Sequence, residues 1–154
     1  MNVMRGLVSL LGRLLIVPIF LLSAVGNKIP RFSAVAESMA QQGVPEPRIL
    51  LAGAIAFLIL GSLSIALGYR ARVGALMLLV FLGAATYYFH DFWTMPAEAQ
   101  QEELISFMKN VSLMGAMLFI IANGAGPMSL DSRRAARRAA ASSEQPEHEP
   151  DDDE

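Results

Sequence analysis

Residues 49–89 read ILLAGAIAFLILGSLSIALGYRARVGALMLLVFLGAATYYF. Two uncharged apolar runs, Ile49 to Leu67 and Val73 to Phe89, are separated only by GYRAR. A hydrocarbon core about 30 Å thick takes roughly 20 helical residues to cross. Each run comes close to that length, and so short a connection forces an antiparallel hairpin with Arg70 and Arg72 at its turn.

Two further runs extend the pattern to four spans, at about 7–25, 49–67, 73–89 and 104–122. The first contains Arg13 and Pro18 and the fourth Lys109 and Asn110; each is accepted because its polar group can lie near an end or face a bundle interior. Composition agrees, with 54% hydrophobic residues and a mean hydropathy of +0.45, well above an ordinary soluble domain. Charge is segregated toward loops and toward the segment after Asp131. The chain has no cysteine, which excludes disulfides, thiolate catalysis and cysteine-held zinc or iron–sulfur centres. The fold class expected is an all-α integral membrane four-helix bundle, with a membrane domain over 1–131 and a tail over 132–154.

Lys and Arg near span ends are retained on the cytoplasmic side. Arg5, Arg70, Arg72, Arg133, Arg134, Arg137 and Arg138 share one side if both termini are cytoplasmic, whereas the other side offsets Lys28, Arg31, Arg48 and Lys109 with six acids. A bacterial inner-membrane protein with both termini inside is the expectation. The alternative is that Arg5, the apolar stretch Leu14 to Leu22 and the small residues Ala24 to Gly26 form a cleavable secretory signal; charge alone does not separate the two.

Between spans one and two, Phe32, Val35, Ala36 and Met39 recur at helical spacing, closed by Gly43, Pro45 and Pro47, as in a short amphipathic helix on the outer surface. Pro96 suits the first turn of a helix that continues through AEAQQEELISFMKN into span four. After NGAGP the sequence is basic and then acidic, with nothing to build a core, and is expected to be disordered. Its RRAARR run can approach anionic headgroups.

Few polar residues are left for chemistry. Arg13 lies roughly 9 Å along span one, where its guanidinium either snorkels to headgroups or turns inward to bind carbonyls or a ligand. Lys28, His90 and the pair Lys109–Asn110 terminate spans one, three and four on the same side. They can converge on one outward mouth over an apolar interior, suiting a quinone headgroup or a small oxyanion. The bland readings are that the lysines snorkel outward, that Asn110 bonds a neighbouring helix, and that Tyr87, Tyr88, Phe89, Phe92 and Trp93 form an interfacial belt. His90 alone is a poor metal site, but an imidazole can relay protons, and the neighbouring Asp91 is placed to hold the imidazolium.

In GRLLIVPIFLLSAVGNKIPRF, QQGVPEP, LGYRARVGA, His90 with the aromatics after it, and FMKNVSLMGAMLFIIANGAGPMSLD, the order of features resembles the DoxX family of small four-span membrane proteins, over about Leu10 to Asp131. The resemblance implies a membrane bundle, in some members associated with quinone-linked sulfur oxidation or with thiol and superoxide defence. It also matches Arg13, Lys28, His90, Lys109 and Asn110 to the family's recurring polar positions. One departure is Phe57, where many relatives carry a glutamate. The leading expectation is a membrane subunit of a quinone-linked or redox-associated complex, at most an oxidoreductase subunit with no metal or thiol centre of its own. It would bind a quinone or a small oxidised substrate non-covalently at its outer mouth, have lipid and other membrane or redox subunits as partners, bind no nucleic acid, and be compatible with homo-oligomerisation. The alternative is a non-catalytic accessory or assembly subunit; a small-solute transporter fits less well, because no acidic residue lies within a span to couple an ion.

Overall fold

The computed structural model describes residues 2–90, 92–94 and 96–143. In chain order the elements are α1 (Asn2–Leu21), a π-helical segment continuing it (Leu22–Lys28), α2 (Phe32–Gln41), α3 (Pro47–Leu67), α4 (Ala71–Phe89), a short 3-10 turn (Phe92–Thr94), α5 (Ala97–Asn123) and α6 (Leu130–Ser143). Four helical stretches are long and apolar enough to cross a membrane: Val3–Lys28, Pro47–Leu67, Ala71–Phe89 and Glu98–Asn123. The fold is therefore all-α, a four-span membrane bundle with α2 inserted after the first span. Pro96 directly precedes α5, which runs unbroken into the fourth span.

α3 and α4 form the expected hairpin and are the closest pair. A Cβ on Gly61 would stand 2.9 Å from the Gly74 carbonyl oxygen, and one on Gly74 would stand 2.9 Å from that of Gly61. Each glycine thus lets the other helix's backbone approach, the usual means of tight packing where lipid and side chains are equally apolar. α4 also packs on α5, and α3 on α1 and α2. Leu58, Ile65, Ala75, Leu78 and Met117 are fully buried where α3, α4 and α5 meet.

Both sides of the hairpin's turn are fixed by specific devices. At the C-terminus of α3 the Gly68 amide donates to Ile65 O (3.1 Å) and the Tyr69 amide to Ser64 O (3.0 Å), a Schellman closure with Gly68 left-handed at φ 63°. Asp131, sixty residues on, then accepts from the first amides of α4, Arg70 N at 2.9 Å and Ala71 N at 3.2 Å. An acid at a helix N-terminus satisfies otherwise orphaned donors.

The segment expected to be disordered from 132 onward is helical as far as Ser143. The cause is local. Ser132 N donates to Ser129 Oγ and Ser129 N to Ser132 Oγ, at 3.1 and 3.2 Å, a reciprocal cap of the capping-box kind, and the alanines and arginines that follow are good helix formers. α6 buries none of its residues. The acidic end and His148 lie outside the described residues, as does Asp91.

Candidate functional site

α1 and α5 each pack on the α3–α4 pair but make few close backbone contacts with each other. At the end of the bundle away from the Arg70 turn, this arrangement leaves a cavity of about 680 Å3 bounded by all four spans and by α2. Ligand pockets run from roughly 300 to 1,000 Å3. Its walls are mainly apolar, with Phe20, Phe57, Phe81, Tyr88 and Phe89 among them. The apolar face read in α2 is turned toward protein rather than lipid: Ala36 and Met39 are buried with Val44 and Leu51, against Tyr88 and Phe89. α2 thus roofs one side of the cavity, contributing Val35 and Met39 to it.

Lys28, His90, Lys109 and Asn110 all line this one cavity. Lys28 arrives there through the π-helical segment. In an α-helix, residues five apart point about 140° away from each other, whereas a π-turn brings them together. The Ile29 amide accordingly bonds Ala24 O, five residues back, and the Lys28 ammonium donates to Ser23 Oγ at 2.7 Å. It also sits 5.3 Å from the centre of the Phe81 ring, within cation–π range. Lys28 is half-buried and turned into the protein, not snorkelling outward.

His90 ends α4 and its Nδ1 is paired with the Glu103 carboxylate of α5. Asn110 is buried and donates to Thr86 Oγ1 at 3.1 Å, so the helix-to-helix bond and the cavity position hold together. Lys109 is exposed at the rim. The aromatics divide: Tyr87 and Trp93 are 74% and 59% exposed, as belt residues are, whereas Tyr88 and Phe89 belong to the cavity wall. Phe92 packs edge-on to Trp93 and Phe107, each at 5.2 Å.

Arg13 is not part of this group. It is 4% exposed and lies at the opposite end of the bundle, donating to Met128 O at 2.9 Å, with longer contacts to Ala66 O and Ser9 O. Backbone carbonyls are its partners, and it ties α1 to the segment that leads into α6. Sequence reasoning missed Glu103, which stood as one loop charge among several. The signal was available: Glu103 and Asn110 are seven apart, two helical turns, and share one face of α5. Among the described residues no three acids or histidines gather as a metal site would require. What the arrangement offers is a row of N–H donors and positive charge over an aromatic, water-poor interior, with one carboxylate behind the histidine.

A family model described as DoxX matches residues 8–91. Over 129 residues the chain is 30% identical to the inner membrane protein YphA of Escherichia coli (strain K12), covering 84% of this chain and 91% of that relative. Surfeit locus protein 4 homologs of Schizosaccharomyces pombe and Drosophila melanogaster are 25% and 28% identical over 72 residues, 46% of this chain. The chain spans about a quarter of their length, 24% and 27%. No solved structure matches. Together with the four apolar helices, the first relative supports a multi-pass inner membrane protein.

Proposed function

We propose that this chain, which belongs to the DoxX family, serves as the membrane subunit of a redox-associated complex and holds a quinone or a small oxidised substrate in the cavity at its Lys28–His90 end. The observation that carries the reading is the convergence of Lys28, His90, Lys109 and Asn110 from three different spans on one apolar cavity. A quinone has two carbonyl acceptors on a flat ring with an apolar tail. The lysines and the imidazole would meet the acceptors, Phe81 and Tyr88 the ring, and the seam between α1 and α5 would pass the tail to lipid. The His90–Glu103 pair gives the headgroup a route for a proton that does not depend on the acid replaced by Phe57. No covalent cofactor is called for.

On this reading the Lys28 end faces outward and both termini are cytoplasmic, with the bundle over 1–131 and α6 opening the tail. Retention of quinone by the purified protein tests it. Removing a hydrogen bond from a charged donor costs about 1.5–3 kcal/mol, so His90→Ala and Lys109→Ala should each weaken retention about tenfold or more. Absence of bound quinone, with no effect of either change, overturns the reading.

A second reading, a non-catalytic accessory subunit, is favoured by the loose α1–α5 seam, which offers a partner helix a place to lie. Co-purification with a larger membrane partner, lost when bulky side chains are placed along that seam, distinguishes it from the first.

A further inference from the structure

The opposite end of the bundle carries a second concavity, unrelated to the first. Arg70, Arg134 and Arg138 line a hollow of about 300 Å3 together with Asp131 and Ala135. Arg70 belongs to the α3–α4 turn and is held left-handed at φ 49°. Arg134 and Arg138 are four apart on α6 and so share a face. The approach of the two elements is built rather than incidental: Asp131 N donates to Gly68 O at 2.9 Å, the Asp131 carboxylate caps α4, and Arg13 holds Met128 O.

Among the described residues charge there is unbalanced: Asp131 is the one acid among those lining the hollow, and both its oxygens are engaged by the amides of Arg70 and Ala71. Among the described residues the sole ion pair is His90–Glu103 at the far end, so none of the three guanidinium groups is neutralised by a described carboxylate. Arg134 lies 4.4 Å from the centre of the Tyr69 ring, within cation–π range. The hollow sits where the α3–α4 hairpin turns at the end of its two spans, at the level a phospholipid headgroup occupies.

We infer that Arg70, Arg134 and Arg138 form a phosphate-binding site, and that its ligand is the phosphodiester of an anionic phospholipid. Guanidinium is the side chain whose donor geometry matches phosphate oxygens in pairs, and three arginines from two elements line this one hollow. The lipid would clamp α6 to the hairpin and hold the basic end of the bundle at the membrane surface.

Native mass spectrometry of the full chain in detergent, with phosphatidylglycerol or zwitterionic phosphatidylcholine added, tests the inference. One phosphatidylglycerol should be retained in preference to phosphatidylcholine. Arg134→Gln/Arg138→Gln should weaken that retention about tenfold or more, given the usual surface contribution of each basic residue. Glutamine keeps the helix propensity of arginine. Arg70→Gln, on a separate element, should also weaken it, which excludes unravelling of α6 as the cause, while Arg5→Gln should leave it unchanged. If millimolar inorganic phosphate displaces the lipid, the site stands and free phosphate is its ligand; if it does not, the lipid is. Equal retention of the two lipids, or retention unaltered in both arginine variants, overturns the site.

Discussion

Gly68 carries more of this architecture than its size suggests. It closes α3 in a left-handed conformation, its carbonyl accepts from Asp131 N, and a Cβ there would collide with the Arg13 guanidinium and with Ser129. Three segments far apart in sequence therefore meet over a hydrogen atom. Gly68→Ala should destabilise the fold by about 1–3 kcal/mol from the backbone alone, with displacement of Arg13 added, read as earlier thermal unfolding in detergent. Glu103 is the corresponding residue at the other end. If it orients His90 for a ligand, Glu103→Gln should weaken quinone retention in the same direction as His90→Ala, and the double variant should lose little more than either single one, because the two act as a unit. Additive losses would separate them.

At the scale of the element, what the sequence made legible follows from what each pattern measures. Span length and charge segregation report the cost of placing polar groups in hydrocarbon, and the four helices fall where those two quantities put them. The π-helical segment had no such signal: neither quantity separates a π-turn from an α-turn, and the shift shows only in the five-residue bond from Ile29 N to Ala24 O and in the contact of Lys28 with Ser23. Inserting an alanine after Gly26, which has open space around it, should rotate Lys28 by about 100° away from Ser23; quinone retention should then fall although every polar side chain remains. α6 departs from expectation for the opposite reason. Lack of a core is not lack of structure, because caps and propensity suffice once Asp131 is anchored. Its docking has a spectroscopic signature. The hydrogen bond from Arg134, with the charges of Arg134 and Arg70, holds the Tyr69 phenol below the ordinary value of a tyrosine. A depressed pKa means that the docked state favours the phenolate: the added stability is complete above the unfolded value of about 10 and is lost as pH falls through the docked value. Ultraviolet titration should thus find one tyrosine ionising early, moved back toward the ordinary value by Arg134→Gln and absent in Tyr69→Phe.

For the whole molecule, the two ends of the bundle present different chemistry to the two faces of a membrane. One end gathers Lys28, His90, Lys109 and Asn110 over an apolar cavity roofed by α2; the other gathers arginines around a helix pinned to a turn. Such polarity has a consequence for topology, because basic residues close to span ends are retained in the cytoplasm. Arg5, Arg70, Arg72 and the α6 arginines all belong to the second end, which should therefore be cytoplasmic, with the cavity opening outward. The chain contains no cysteine, so single introduced thiols report topology without background. Cysteine at Gln100, on the exposed first turns of α5, should react in intact cells with a membrane-impermeant maleimide, and cysteine at Ala140, on α6, should react only after lysis. The reverse pattern would place the arginine hollow outside and leave the cavity facing the cytoplasm, where its ligand would have to be drawn from a different pool.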